Sequence, residues 1–372
     1  MPTTSTTATR AEPTWSTTGR SSIGRLPRRI SAEDHGRVNT HNVRSRPAGR
    51  LHYSLAGGSD IVAGNLRHFL KLRDLAPAEA RALLDRAIAL KRDPQTNRRP
   101  LTGRNLAMVF AKSSTRTRVS FEVGMAKLGG HAVMLPTAQT QLGREEPLAD
   151  TARVLSRYCD AIMIRNDSQA DQEELARHAG VPVINGLSES HHPCQLLADM
   201  QTWLEHRGDP GGKVAAWIGD GNNVCNSWIE ASALFGFRLR VATPHQYRPD
   251  AAALAYAGRA VRLYDDPRAA AAGADLIVTD TFTSMGREAE RAERIQILSA
   301  FQVDARTMAA AKADALFMHC LPAHRGEEVT AEVIDGPHSV VWDEAENRMW
   351  AQMALLEFLL CPAATSSPSP FA

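Results

Sequence analysis

The sequence predicts an α/β protein of two domains, each a mostly parallel sheet covered by helices on both faces, with the active site in the cleft between the domains. Three observations carry this. At 372 residues the chain has room for two domains of ordinary size. From residue 66 nearly to the end, short apolar runs alternate with helix-length segments, the pattern of strands joined by crossover helices. The polar clusters able to do chemistry fall at the C-terminal ends of those runs, where open parallel sheets bind ligands.

The elements follow in order. Residues 1–64 are rich in Ser, Thr, Arg and Gly, poor in acids and without a sustained apolar period, so a disordered, dispensable leader is expected there. A mitochondrial-type transit peptide shares this composition, but Glu33-Asp34 interrupts the segment and it lacks a clear amphipathic helix. A start codon assigned too far upstream is a further alternative. Order is expected from about Leu66. Asp74 and Pro77 then introduce an amphipathic helix with Leu83, Leu84, Ala87 and Leu90 at helical spacing. Strands are expected at 106–110, 132–135, 161–165 and 181–185 in the first half. In the second half they are expected at 214–219, 239–243, 276–280, 316–319 and 340–342. Gly208, Pro210, Gly211 and Gly212 mark the domain boundary within 205–213. A final helix around 346–360 could pack back on the first domain, and 362–372 is expected to be a disordered tail.

Bulk properties exclude several classes. Hydrophobic residues at 43% and charged residues at 23% are usual for a soluble globular chain, and a formal charge of +2 makes no global case for nucleic-acid or membrane partners. No apolar run approaches the ~20 residues of a membrane-spanning helix. The cysteines, Cys159, Cys194, Cys225, Cys320 and Cys361, are odd in number, widely spaced and without a C-x-x-C pair. That argues against a disulfide framework or a structural zinc site and for a reducing compartment, hence a cytoplasmic location.

The most informative stretch is Ser113-Ser114-Thr115-Arg116-Thr117-Arg118, between the apolar run 106–110 and a helical segment at 119–128. Such a loop delivers hydroxyls, guanidinium groups and backbone N–H groups to a helix N-terminus, which already favours an anion. Arginines add charge-assisted, bidentate hydrogen bonds suited to phosphate oxygens. An N-cap cluster with two solvated arginines is the plainer alternative; the density of the loop favours phosphate binding. Further clusters end other strands: Arg165; His192-Pro193-Cys194-Gln195; Gly219-Asp220-Gly221-Asn222-Asn223; Asp280 with Ser284-Met285-Gly286; and His319-Cys320-Leu321-Pro322. Singly, His192 could be a cap, Asp280 a turn former and Cys320 a small buried hydrophobe. Together they describe a cleft between domains.

Taken together, S-S-T-R-T-R, H-P-C-Q, G-D-G-N-N, D-T-F-T-S-M-G, H-C-L-P and the Glu346-Asn347-Arg348 triplet resemble the aspartate/ornithine carbamoyltransferase family, on its ornithine branch. The likeness covers roughly residues 66–360. It implies that Ser114, Thr115, Arg116 and Thr117 cradle the phosphate of carbamoyl phosphate. Arg165 and His192, with Thr117, are implied as donors to its carbonyl oxygen, stabilising the oxyanion of a tetrahedral intermediate. Gln195 and the Leu321 carbonyl are implied to hold the carbamoyl NH2, with Pro193 and Cys194 in the same motif. Cys320, the Leu321 carbonyl and Arg348 are placed around the reacting amine, and Arg348 also belongs to the carbamoyl phosphate set. Arg116, Arg165, His192 and Cys320 make up the catalytic set. Gln141 resembles a residue that reaches an adjacent subunit's site, implying a homotrimer or a multiple of it. On the acceptor side, Asn223 rather than Asn222 is assigned to the ornithine carboxylate, Asp280 to the α-ammonium, and Ser284 and Met285 to the same end. The resemblance makes 65–206 the carbamoyl phosphate domain, 207–345 the ornithine domain and 346–361 the returning helix. No metal or organic cofactor is required.

Two rival readings are weaker. Another amine acceptor, such as putrescine, N-acetylornithine or aspartate, fits less well with Asp280 beside Ser284-Met285-Gly286. A nicotinamide-dependent oxidoreductase is suggested by Gly219-Asp220-Gly221 after a strand, but Val224 replaces the third glycine of that fingerprint. No acid ends the next strand at Ala242-Thr243 either.

Overall fold

Pro77 opens helix α1 (Pro77–Arg92), where its missing N–H leaves nothing unpaired, and Glu79 accepts the Ala76 N–H at 2.9 Å. Ala80, Leu83, Leu84, Ala87 and Leu90 form its buried face, at the spacing read from the sequence. In this computed structural model the described residues are 66–94, 99–112, 114–139, 146–283 and 288–361. They belong to one compact unit, Asp60–Ala372. The expected leader and tail lie outside the described residues.

After α1 the chain alternates: β1 (Asn105–Phe110), α2 (Thr115–Lys127), β2 (His131–Pro136), α3 (Leu148–Tyr158), β3 (Ala161–Arg165), α4 (Gln169–His178), β4 (Val183–Leu187) and α5 (Pro193–Arg207). These strands form one sheet in the order β2-β1-β3-β4, every pair parallel. The second half continues with β5 (Val214–Ile218), α6 (Asn223–Phe235), β6 (Arg238–Ala242), α7 (Ala251–Ala257), β7 (Val261–Tyr264), α8 (Pro267–Ala271) and β8 (Leu276–Thr279). It ends with α9 (Arg291–Leu298), α10 (Ala305–Ala310), β9 (Leu316–His319), α11 (Ala331–Ile334) and α12 (Val341–Leu360). Its strands form a second parallel sheet, β7-β6-β5-β8-β9. Strands β3, β5, β8 and β9 are buried along their whole length, as expected where helices cover both faces.

Three expectations need correction. The run 340–342 is not a strand. Residue Ser339 makes an isolated bridge to Phe317 and the Val340 N–H reaches the Phe317 carbonyl at 3.0 Å, but the backbone then turns into α12 at Val341. One residue of pairing beside β9 is all that this β-branched run contributes. Strand β7 was not expected: Val261-Arg262-Leu263-Tyr264 is short, interrupted by an arginine and lies at the sheet edge. Strand β4 starts two residues later than expected because Pro182 has no N–H for the ladder.

Helix α12 packs against α5, α1 and α2, which returns the end of the chain to the first sheet. It carries Glu344, Asn347 and Arg348 inward. Trp203 of α5, Trp228 of α6 and Phe237 lock the two halves, with ring centroids 5.1–6.2 Å apart. A second tie is polar. Fully buried Glu230 of α6 accepts the Leu72 N–H at 3.1 Å and the Arg73 N–H at 3.4 Å, and pairs with Arg73 Nε at 3.2 Å. Replacing Glu230 by alanine strands these donors and should cost about 2 kcal/mol of stability, read as a lower urea midpoint at unchanged slope.

Candidate active site

In each sheet two neighbouring strands have connections that leave in opposite directions: β1 and β3 in the first, β5 and β8 in the second. Such switch points open a crevice at the carboxyl ends of the strands. Residues at the carboxyl ends of these strands and of their neighbours β4 and β9 line one cleft of about 990 Å³. Ser114, Thr115, Arg116, Thr117, Arg165 and His192 line it from the first half; Asn222, Asn223, Asp280, Cys320 and Leu321 line it from the second. Arg348 reaches it from α12.

The phosphate-type loop is built as its sequence suggests. Ser114 is the N-cap of α2, its Oγ accepting the Thr117 N–H at 3.4 Å, so the first turn of the helix presents its remaining N–H groups to the cleft. Thr117 is buried, and its Oγ1 accepts from Arg165 Nη1 at 3.1 Å and from Arg348 Nη2 at 3.0 Å. Two arginines thus converge on one helix N-terminus, whose first turn carries Arg116. Burial, then the neighbouring Arg348, brings Arg165 down to about 10, so it stays charged at neutral pH. Burial also lowers Arg348. Arg165 Nε, Arg348 Nε and His192 Nδ1 are buried without a hydrogen-bond partner among the described residues. These atoms have hydrogen-bonding capacity that a bound group or a water could take up.

His192 caps α5 and is held by its own N–H, which donates to Ser227 Oγ at 2.8 Å. Burial, with Arg348 and Arg165 nearby, pushes its pKa well below the usual value for histidine. The ring is therefore neutral at physiological pH and acts as a hydrogen-bond donor or acceptor without charge.

Across the cleft, Asp280 follows β8. Its Oδ2 accepts from Asn222 Nδ2 at 2.7 Å and its Oδ1 from Cys320 Sγ at 3.0 Å. Burial, then Asp280, drives the Cys320 pKa well above that of a free thiol, so the sulfur stays protonated and a thiolate nucleophile is disfavoured. Leu321 adopts φ 57°, left-handed for a residue with a side chain, and its N–H donates to His319 Nδ1 at 2.9 Å. Asn222 also caps α6 through Val224 and Cys225 N–H, whereas Asn223 donates to the Ser188 carbonyl at 2.7 Å.

Some expected residues do not reach the cleft wall. Pro193 and Cys194 are buried in the first turn of α5, the Cys194 Sγ donating to the Asn185 carbonyl at 3.3 Å. Gln195 lies behind Arg348, its Oε1 accepting from Arg348 Nη1 at 2.6 Å. Gln141, Ser284 and Met285 lie outside the described residues. Sequence reasoning also passed over Arg294. This buried side chain donates to the Phe282 carbonyl at 2.6 Å, pairs with Asp220 and lies 4.4 Å from the Tyr247 ring centre, tying the loop after β8 to the one after β5. Its only local signal was an arginine among others in 287–294. Among the described residues, Asp280–His319–Cys320 and His324–Glu327–Glu328 bring potential ligand atoms within 4.8 Å of one another. Hydrogen bonds within the protein already engage both groups: Cys320 to Asp280, and His319 and the His324 N–H to Glu328. Neither is an open coordination site.

No helix among the described residues is long and apolar enough to cross a membrane. Residues 67–205 match the carbamoyl phosphate-binding domain of aspartate/ornithine carbamoyltransferases, and 211–359 match their aspartate/ornithine-binding domain. The chain is 59% identical to an ornithine carbamoyltransferase from Methylococcus capsulatus over 294 residues, 79% of this chain and 98% of that protein. It is 54% identical to the anabolic ornithine carbamoyltransferase 1 of Pseudomonas savastanoi over 80% of this chain and 98% of that one. Among solved structures, the ornithine carbamoyltransferase of Pyrococcus furiosus superposes with a TM-score of 0.77 at 49% identity, covering 80% of this chain and 97% of that one. With both domain models matched and the helix N-terminus, arginines and acidic wall in a single cleft, the chain belongs to the aspartate/ornithine carbamoyltransferase family.

Proposed function

We propose that this chain is an ornithine carbamoyltransferase, moving the carbamoyl group of carbamoyl phosphate to the δ-amine of L-ornithine to give L-citrulline and phosphate, in arginine biosynthesis. The observation that carries the reading is the convergence of Arg165 and Arg348 on Thr117 at the N-terminus of α2, opposite Asp280. Carbamoyl phosphate is a dianion with a reactive carbonyl. Ser114 to Thr117 bind its phosphate; Arg165 and neutral His192 donate to the carbonyl oxygen as it gains charge. The Leu321 carbonyl accepts from the carbamoyl NH2. Asp280 pairs with the ornithine α-ammonium, Asn223 with its carboxylate, and Ser284 and Met285 complete that end. An alkyl amine near pKa ~10.4 is mostly protonated at neutral pH, so the site must admit its neutral form. The amine nitrogen then bonds to the carbonyl carbon, the carbon–oxygen bond to phosphate breaks with its electrons going to phosphate, and the proton lost by the amine leaves on the phosphate. Carbamoyl phosphate sits on 65–206, ornithine on 207–345, and 346–361 returns Arg348 to the first site; the matched domains and the packing of α12 support this division. Citrulline formation with a panel of amines tests the reading: ornithine should be preferred by orders of magnitude, and preference for putrescine or aspartate would refute it.

The enzyme works in the cytoplasm as a homotrimer or a multiple of it. Val119 and Val123, one turn apart on α2, and Val133 on edge strand β2 are exposed large apolar side chains, and α2 packs on that strand. Apolar surface beside an unpaired edge suits an interface between copies. Gln141 lies in the segment joining β2 to α3, and this assembly would carry it to the neighbouring site. Mixing the inactive variants Gln141→Ala and Arg116→Ala should then restore partial activity, because some sites in mixed trimers receive both intact residues. Mixed trimers without activity would show that the site is not shared.

A further inference from the structure

We propose that Asp199 and Glu344 are a proton-holding acid pair that positions Gln195 and Arg348 for carbamoyl phosphate, and that binding of the substrate dianion draws a further proton onto the pair. The proposal deepens the function above and rests on it. Asp199 of α5 and Glu344 of α12 are each 1% exposed, and a single amide nitrogen, Gln195 Nε2, lies within hydrogen-bond reach of both carboxyl groups. Two carboxyl groups held side by side out of water do not both ionise readily, so the pair retains a proton.

The pair dictates the orientation of what lies above it. Gln195 Nε2 lies 2.8 Å from Asp199 Oδ1 and 3.0 Å from Glu344 Oε1, so both of its N–H groups point down into the acids. Its Oε1 is thereby turned to Arg348 Nη1 at 2.6 Å, and Arg348 Nη2 continues to Thr117 Oγ1 at 3.0 Å. On the other side, Glu344 Oε2 accepts the His319 N–H at 2.9 Å, at the start of the turn that holds Cys320 and Leu321. One buried acid pair thus braces a guanidinium on the phosphate side and the turn on the acceptor side.

The electrostatics give the pair a second role. Burial first, and then the facing acid, raises Glu344 well above the carboxylate range; burial raises Asp199 to about 7, against the pull of Arg348. The groups acting on the pair are Arg348 on α12, the un-ionised Cys320 beyond β9, Gln195 on α5 and the Trp228 indole on α6. The His319 ring is engaged by Glu328. Below about 7 the pair is largely protonated; above it the pair carries a negative charge behind Arg348. A phosphate dianion arriving on the other side of Arg348 is a like charge and favours the more protonated form. Binding near neutral pH should therefore take up protons, and binding well below it should not.

Calorimetric titration of the full chain with fresh carbamoyl phosphate, in buffers of different ionisation heat, reads this directly. For an upward shift of about one pH unit, uptake near neutrality should be about half a proton and should vanish in acid. Asp199→Asn and Glu344→Gln keep hydrogen-bonding groups but lose one titrating acid; whichever folds should lose the uptake and stay within a few-fold of the parent's affinity. Asp199→Ala, which removes an acceptor from Gln195, should weaken binding about tenfold, with Asp199→Asn as its rescue. Uptake that persists in Asp199→Asn or Glu344→Gln would assign the proton elsewhere, to His192 for example, and overturn the proposal. Binding without uptake in the parent would overturn it too, leaving the carbamoyl-transfer reading intact. A parent that binds no carbamoyl phosphate would overturn that reading, and the pair's role with it.

Discussion

Replacing Arg165 by alanine should lower kcat by about 10²–10³-fold, the usual cost of losing one oxyanion donor, with a smaller change in the KM for ornithine. Arg165 ends the interior strand β3, is 6% exposed, and is fixed by its contact with Thr117 Oγ1 at 3.1 Å. It is therefore preorganised, and its charge persists because burial lowers its pKa only to about 10. Lysine should rescue little, since an ammonium cannot hold Thr117 and the carbonyl oxygen together in one planar fork. His192 shares the task without sharing the pH response. With its pKa held well below the ordinary value, it is neutral through the physiological range and would acquire charge only in more acidic solution. Activity near neutrality should not track an imidazole titration in the parent. A folded Arg165→Ala enzyme with parental kcat would remove Arg165 from the chemistry.

The parts legible in the sequence were those that physics makes local. Strand β1, the N-cap at Ser114 and the following helix lie within about twenty residues, so periodicity and capping chemistry reveal them without the rest of the chain. The pairing of Asp199 with Glu344 joins residues far apart in sequence on two different helices, and nothing in either helix announces it. Both acids sit on faces that read as polar and solvated until α12 is known to lie on α5. The contact of Arg294 with Asp220 is invisible for the same reason, although Asp220 itself stands in a strand-end cluster. The run 340–342 failed differently: its β-branched and aromatic residues favour a strand, yet tertiary contacts allow one bridge and then a helix. Gln195 shows the limit of a motif. The motif singled it out as a partner of the carbamoyl NH2, but its amide is committed to two acids and an arginine, which the motif does not record.

Replacing Asp280 by asparagine should reduce kcat/KM for ornithine by about two to three orders of magnitude, while the affinity for carbamoyl phosphate changes little. Asp280 is 6% exposed at the end of β8, and its oxygens accept from Asn222 Nδ2, Cys320 Sγ and the Thr281 N–H. Every one of these neighbours is a neutral donor, so none of them supplies the positive charge that an incoming ammonium would. Asparagine preserves the size of the side chain but turns one acceptor into a donor facing the Asn222 amide. It also removes the charge that meets the α-ammonium. An unpaired ammonium in a half-buried cleft carries a desolvation cost that an amide does not offset. The carbamoyl phosphate site, by contrast, is held by Thr117, Arg165 and Arg348 from other elements and has no direct bond to Asp280. Amines lacking the α-ammonium should lose far less than ornithine, which separates recognition from catalysis. Equal losses for ornithine and for such amines would mean that Asp280 shapes the cleft through Cys320 and Asn222 rather than by meeting the substrate.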